Sequence, residues 1–376
     1  MNEFISIEPA IDPSSKVTFL LDWEITMKCN FDCSYCANEL YGGHLNSLPH
    51  PKVKECLSTI DFMYQYANEA LKHKKKSLKQ VVLNIYGGEA LFHKDIVEIS
   101  RYAKEQYQKF KNNWKLTIST TTNASVSSKK IESLSEFIDE WTCSFHSEAT
   151  KKQKTQFFSN VLKLKQLGKS CKVVVLMHAE PKLFEESQKV INWCKENNIR
   201  YLPKQIDHGY NKNFEYEKKQ VVWFNDLYNS RSKKRNVDIT DNLKEKTDLA
   251  NVGRSCCGGR LICTDKNYKN QISFVNNKFK DWSCSVNHFF LYVKQVTGEI
   301  FNNKDCKINF ENKIGPIGYL VDSEKCIEDL KKFVNKGTDS YTTCIKERCY
   351  CGLCSPKAKT SEEFKNIFGK YLNEKL

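Results

Sequence analysis

The sequence predicts an α/β fold in which parallel strands wrap as a barrel, followed by a smaller cysteine-rich region. Two observations carry the barrel. Strand-like and helix-like segments alternate through residues 18–206, and four of the strands have one apolar and one polar face. A third observation marks where that pattern ends: seven of the 17 cysteines fall in residues 1–255 and ten in residues 256–354.

Six β-rich runs come in order: Thr18–Thr26, Gln80–Tyr86, Lys115–Thr122, Glu140–His146, Lys172–Met177 and Arg200–Ile206. Between them lie helix-like segments at Pro51–Leu71, Lys94–Lys109, Lys129–Ile138, Lys151–Leu167 and Lys182–Glu196. Such alternation argues for parallel strands with helical crossovers. By count alone, six units fit a barrel or a doubly wound sheet. Face parity separates the two. In the first strand Leu21, Trp23 and Ile25 oppose Asp22, Glu24 and Thr26. In the second, Val81, Leu83 and Ile85 oppose Val82, Asn84 and Tyr86. In the third, Leu116 and Ile118 oppose Thr117, Ser119 and Thr121; in the fourth, Trp141, Cys143 and Phe145 oppose Thr142, Ser144 and His146. A sheet covered by helices on both faces reads apolar throughout, so a polar face suits a barrel with a polar lumen. In such barrels the chemistry sits at the carboxyl ends of the strands.

A polar stretch follows the sixth strand, with one helix-like segment near Val221–Tyr228. The chain of 376 residues therefore divides into an N-terminal extension (1–16), a barrel (17–210), a bridge (211–250) and a cysteine-rich α+β domain with a β-hairpin (251–376). At 40% hydrophobic and 28% charged residues it is neither disordered nor collagen-like nor a coiled coil. No apolar run reaches the length of a membrane span, and Met1–Lys16 lacks the pattern of a secretory signal. A reducing, cytoplasmic setting is expected, where clustered cysteines bind metal or do redox work. The net charge of +14 is spread along the chain, so nucleic acid is not the expected partner.

Cys29, Cys33 and Cys36 form C-x3-C-x2-C directly after the first strand. Structural zinc wants four ligands, whereas a [4Fe–4S] cubane on three thiolates leaves one iron open. The alternatives are a zinc knuckle completed by Cys56 or His44, and three unrelated thiols. Gly87-Gly88-Glu89 follows the second strand; alone it reads as a turn, whose two glycines allow close backbone approach. Thr121-Thr122-Asn123 ends the third strand as a polar Asx-type turn or a ligand wall. Ser144 and His146 face the lumen on the fourth; Lys204, Gln205 and His208 lie at the end of the sixth. The run His73-Lys74-Lys75-Lys76 reads as a solvated face at a helix end.

These residues resemble the signature of the radical S-adenosylmethionine (SAM) superfamily. The resemblance rests on Cys29, Cys33 and Cys36 with Tyr35 before the last cysteine, then on Gly87-Gly88-Glu89 and Thr121-Thr122-Asn123 in the expected order. Ala90 stands where many members have proline. The resemblance implies a partial (β/α)6 TIM-like barrel. It implies a SAM-binding [4Fe–4S] cluster on Cys29, Cys33 and Cys36, an aromatic at Tyr35 against the adenine, and Gly87, Gly88 and Glu89 on the SAM amino group. It places Thr121 and Asn123 in the SAM pocket and Ser144 at the ribose. His146 is a candidate for substrate or for the SAM carboxylate, and Lys204 for the substrate side. It further implies reductive cleavage of SAM to a 5′-deoxyadenosyl radical, with a one-electron donor such as flavodoxin or ferredoxin.

The cysteine-rich end is looser. Cys256, Cys257 and Cys263 precede Cys284; a hairpin-like run, Phe290–Phe301, turns near Thr297-Gly298; Cys306, Cys344, Cys349, Cys351 and Cys354 follow, and Cys326 sits on a helix-like segment. This resembles the SPASM and twitch extensions, which carry one or two auxiliary [4Fe–4S] clusters, although the late spacing C-x4-C-x-C-x2-C departs from the usual one. A zinc ribbon with buried thiols is the alternative. Relatives with such extensions act on peptides, proteins or small molecules. The motif begins at Cys29, so no leader-binding module of the kind found in peptide maturases is expected before it. Two other functions fit less well: a non-catalytic zinc-binding interaction protein and a radical SAM RNA modifier.

Overall fold

The computed structural model describes residues 6–9, 16–36, 47–74, 78–206, 208–209, 212–213, 215–233, 261–262, 279–304, 306–345 and 355–372. The barrel runs β1 (Lys16–Thr26), α1 (Val53–Lys72), β2 (Leu78–Gly87), α2 (Ile96–Tyr107), β3 (Lys115–Thr122), α3 (Ser128–Ser135), β4 (Glu140–Phe145), α4 (Lys151–Gln166), β5 (Ser170–Met177), α5 (Pro181–Glu196) and β6 (Arg200–Gln205). After it come α6 (Lys218–Lys233), a hairpin of β7 (Phe290–Lys294) and β8 (Glu299–Phe301), β9 (Gly318–Tyr319), α7 (Ser323–Val334) and α8 (Ser361–Gly369).

The helices start where their side chains satisfy the first amide groups. Ser127 caps α3. Thr150 and Gln153 form a reciprocal box at the start of α4. Pro181 opens α5, where its missing N–H costs nothing. Gly168, at φ +67°, turns the chain from α4 into β5.

β1 to β6 are parallel neighbours in sequence order, as the alternation predicts, so the chain forms a partial α/β barrel. The apolar parity of each strand faces the helices: Leu21, Trp23, Ile25, Val81, Leu83, Ile118, Trp141, Cys143 and Phe145 are all buried. The polar parity lines the inside, where a ladder crosses three strands. Asn84 Nδ2 donates to Asp22 Oδ1 at 2.8 Å, and Ser119 Oγ donates to Asn84 Oδ1 at 3.3 Å.

The hairpin forms where the sequence places it, with Gly298 at φ +71° in the turn. Its position is not evident from the sequence. β7 pairs in parallel with β1, from Phe290↔Leu20 to Lys294↔Glu24, so one sheet runs β9-β8-β7-β1-β2-β3-β4-β5-β6. An uncovered β1 edge would leave a row of unpaired backbone groups; β7 covers it. Side chains seal the seam: Trp23 Nε1 donates to Gln295 Oε1 at 3.0 Å, and Tyr292 Oη donates to Glu24 Oε2 at 2.9 Å. A small antiparallel sheet joins Ser6–Pro9 to Leu261–Ile262 and to Lys357–Ala358, which continues through Ser283–Cys284 to Thr342–Thr343. Among the described residues, no helix is long and apolar enough to cross a membrane.

Candidate active site

The cysteine loop leaves β1 at its carboxyl end. Cys36 N–H donates to Cys33 O at 3.0 Å, so the last two cysteines close a tight turn. Cys33 is buried; Cys29 and Cys36 are half-buried. Burial pushes the Cys29 and Cys33 thiols up to about 12, and each feels the adverse charge of its neighbours, Cys36 included. Three thiols that repel one another in a desolvated loop become thiolates when a positive group neutralises them, as metal ligation does. The donor set therefore fits an iron–sulfur cluster. Among the described residues, no three His, Cys, Asp or Glu side chains close on a single metal ion. A cluster spreads its thiolates over separate irons.

Three straps hold this loop. The first is backbone. Gly88 N–H donates to Thr26 O and Glu89 N–H to Lys28 O, both at 2.8 Å. A Cβ at Gly87 would stand 2.1 Å from Thr26 O, and one at Gly88 2.5 Å from Met27 O and Lys28 O. The close approach that needs these glycines is to the root of the cysteine loop itself.

The second strap runs to the end of β3. Asn123 Nδ2 donates to Asn30 Oδ1 at 2.8 Å, Asn30 Nδ2 donates to Ser125 Oγ at 2.8 Å, and Ser125 Oγ donates back to Asn123 Oδ1 at 2.7 Å. Gln153 at the start of α4 donates to Asn30 O at 3.0 Å.

The third strap runs to the ends of β4 and β5. Ser34 N–H and Ser34 Oγ both donate to the Glu148 carboxylate, at 2.7 and 2.5 Å. His178 Nε2 stands 3.1 Å from Glu148 Oε1. Burial opposes the charge on Glu148, but His178 and the Ser34 hydrogen bonds hold its carboxyl down at about 2.

Glu89 is buried at the centre of this end. Its Oε1 accepts from Leu91 N–H at 3.0 Å and Thr122 Oγ1 at 2.7 Å; its Oε2 accepts from Asn123 N–H at 2.6 Å. Burial outweighs these bonds and pushes Glu89 above the usual carboxylate range. A carboxylate so placed gains from a nearby cation.

Tyr35 and His146 lie against Cys33. The two rings are near parallel, 5° apart with centroids at 6.0 Å. His146 Nδ1 stands 2.9 Å from Tyr35 Oη and 3.4 Å from Cys33 Sγ, and Phe31 packs edge-on against the imidazole. Burial pushes His146 down to about 4, so the ring is neutral at neutral pH. Thr121 and Ser144 are half-buried on the inward parity of β3 and β4. Lys204 lies on β6, and its charge helps to hold His146 down. The structure thus gathers Cys29, Cys33, Cys36, Tyr35, Gly87, Gly88, Glu89, Asn123 and His146 at one end of the barrel. His178, Asn30 and Ser125 belong to the same assembly and had no assigned role from sequence. Position was the available signal: His178 directly follows β5, and Glu148 lies three residues past the end of β4, both at the carboxyl ends of strands.

Among the candidate auxiliary ligands, Cys284 lies in the short strand that pairs with Thr342–Thr343. Cys344 donates its N–H to Trp282 O at 2.9 Å, and Asn302 Nδ2 stands 3.7 Å from Cys306 Sγ. Cys284, Cys306 and Cys344 do not form a three-donor group among the described residues. Cys256, Cys257, Cys263, Cys349, Cys351 and Cys354, with His44, lie outside the described residues.

Comparison with known proteins gives a match for this end of the barrel. Residues 23–205 match the family model described as the Radical SAM superfamily. These residues resemble a radical SAM domain. No curated protein matches the chain. The crystal structure of Streptococcus suis SuiB is similar in fold at TM-score 0.51 and 15% identity, covering 96% of this chain and 77% of that one. SuiB bound to S-adenosylmethionine aligns at TM-score 0.47 and 15% identity, covering 77% of this chain but only 61% of that one. Native anSMEcpe with bound AdoMet and a peptide aligns at TM-score 0.46 and 12% identity, covering 95% of this chain and 96% of that one. The matched segment runs from within β1 to the end of β6 and contains the cysteine loop and all three of its straps.

Proposed function

We propose that the protein is a radical SAM enzyme that abstracts hydrogen from a peptide, protein or small-molecule substrate, with one or two auxiliary [4Fe–4S] clusters in a SPASM- or twitch-like cysteine region, residues 251–376, assisting oxidation or substrate binding. The observation that carries the reading is the half-buried loop of Cys29, Cys33 and Cys36 at the carboxyl end of β1, inside the segment matched to the superfamily. Bound there, the cluster and SAM supply one-electron cleavage of SAM to a 5′-deoxyadenosyl radical that takes hydrogen from the substrate.

The chain's own residues bind and orient. Cys29, Cys33 and Cys36 hold the cluster. Glu89, buried and fixed by Thr122 and Asn123, presents its carboxylate to the SAM ammonium. Tyr35 takes the adenine side, Gly87 and Gly88 set the height of the loop, and Thr121, Asn123 and Ser144 offer polar groups to the ribose and carboxylate. The barrel wall excludes water from a reactive species. No protein base is needed for hydrogen abstraction, and His146 and Lys204 are the candidates for contact with the substrate. Flavodoxin or ferredoxin is the kind of electron donor that fits.

The test is the iron, sulfide and zinc content of protein purified and reconstituted without oxygen. Wild type is compared with the Cys29→Ala, Cys33→Ala, Cys36→Ala variant. Loss of about four irons from a larger total supports both kinds of cluster. Zinc in place of iron, unchanged by the triple substitution, refutes the enzyme reading.

A further inference from the structure

We propose that Glu148 is the positioning residue of the cysteine loop, clamping the Cys33–Cys36 turn to the carboxyl ends of β4 and β5. The proposal rests on the radical SAM reading above. Ser34 is the first residue after Cys33 inside that turn. Its amide and its hydroxyl bind the two oxygens of one carboxylate. Two parallel hydrogen bonds to a charged acceptor fix orientation as well as distance. Ser34 therefore cannot rotate about the loop axis while Glu148 stays in place, and Cys33 on one side and Cys36 on the other are held with it.

Glu148 is in turn held from the next strand. The Glu180 N–H donates to His178 Nδ1 at 3.0 Å. A neutral ring whose Nδ1 accepts carries its proton on Nε2, the nitrogen 3.1 Å from the Glu148 carboxylate. The chain Glu180–His178–Glu148–Ser34 thus reaches from the start of α5 to the cluster loop.

Stabilising the thiolates is not the role of this carboxylate, because its negative charge acts against the Cys33 thiolate. Core packing is not its role either: Glu148 follows β4 in a loop, and its side chain keeps 21% of its surface exposed. What remains is geometry. A carboxylate is tolerated beside three thiols because it places them.

The test compares Glu148→Ala and Glu148→Gln with wild type in three measurements. These are amide hydrogen exchange of the 29–36 segment without the cluster, iron bound after anaerobic reconstitution, and the electron paramagnetic resonance spectrum of the reduced cluster with and without SAM. In Glu148→Ala the Ser34 amide should exchange roughly tenfold faster, as loss of a hydrogen bond to a charged group implies. Iron should fall, and the spectral response to SAM should be altered. Glu148→Gln keeps an acceptor for the Ser34 amide and should recover most of the protection and the spectrum. Wild-type exchange and spectra in Glu148→Ala, with iron present on the three cysteines, overturn the clamp and leave the radical SAM reading intact. Absence of iron from the wild-type loop removes both. Should Glu148→Ala lose its melting transition, Ser34→Ala, which deletes only the hydroxyl donor, is judged by the same spectrum.

Discussion

Lys74 Nζ lies 3.1 Å from His288 Nδ1, across 214 residues of sequence, with both side chains buried. The amine sits 4.2 Å from the centroid of Phe368 and 5.4 Å from that of Phe289, and the far nitrogen of His288 stands 2.7 Å from Ser340 O. Lys74, two residues past α1, is thereby locked into the C-terminal region.

This pair makes stability depend on pH. Burial pushes Lys74 well below its ordinary value of 10.5 and His288 well below 6.5. The unfolded chain then binds protons that the folded chain refuses, so stability falls as pH falls, below 10.5 for the lysine and below 6.5 for the histidine. Between pH 7 and 9 the histidine contributes little and the lysine dominates the pair. Urea midpoints of wild type should therefore rise across that range relative to those of Lys74→Met, which is near in shape and carries no titrating group. Parallel curves for the two proteins would show that Lys74 is charged in the folded state.

Gly88 tests the root of the cysteine loop. Its missing side chain leaves room for Met27 O and Lys28 O, each 2.5 Å from where a Cβ would stand. Backbone cannot retreat cheaply, so Gly88→Ala should cost about 1–3 kcal/mol as local strain. It should also displace the loop that carries Cys29. The expected result is a lower urea midpoint together with reduced iron loading. Full iron loading at wild-type stability would mean that the contact relaxes freely.

These two sites show what was legible in the sequence. β3 begins and ends where alternation places it, at Lys115 and Thr122, because Leu116 and Ile118 on one parity and Thr117, Ser119 and Thr121 on the other leave one choice of face, although Thr120 and Thr122 are buried on the apolar parity. The start of α4 was readable for a local reason, since Thr150 and Gln153 cap within three residues of each other. The cysteine loop and the Gly87-Gly88-Glu89 segment were readable as motifs because short spacings survive without knowledge of the fold. The sequence places Lys74 in a solvated charge run, but the side chain is buried, because the rings around it come from residues 289 and 368. The same limit hid Ser34–Glu148, which are 114 residues apart, and the pairing of β7 with β1. Alternation tells which face of a strand is buried, and says nothing about which late segment covers its edge.

Tyr292 reports on that edge. Its hydroxyl donates to Glu24 Oε2 at 2.9 Å in a buried contact that ties β7 to β1. Tyr292→Phe keeps the ring, which stacks on Tyr86 and Phe301, and removes only the donor. A lost hydrogen bond to a charged group is worth roughly 1.5–3 kcal/mol, so denaturant titration should show a drop of that order. A drop well under that range would mean that solvent already satisfies Glu24 at this seam.

His146 offers the sharpest test of how the cluster would be tuned. Its Nδ1 stands 3.4 Å from Cys33 Sγ and 2.9 Å from Tyr35 Oη. Once Cys33 ligates iron its sulfur can only accept, so the imidazole and the phenol become the donors that face it. Hydrogen bonds to ligand sulfur stabilise the reduced, more negative cluster and raise its potential. His146→Phe keeps an aromatic ring against Tyr35 and deletes the nitrogen. It should shift the midpoint potential of the reconstituted cluster to more negative values and slow reduction by a fixed donor, while iron content holds. His146→Asn, which restores a short donor, should move the potential back towards wild type. The readout is a redox titration followed by electron paramagnetic resonance. An unchanged potential in His146→Phe would assign the imidazole to Tyr35 alone, leaving the phenol as the group that addresses Cys33.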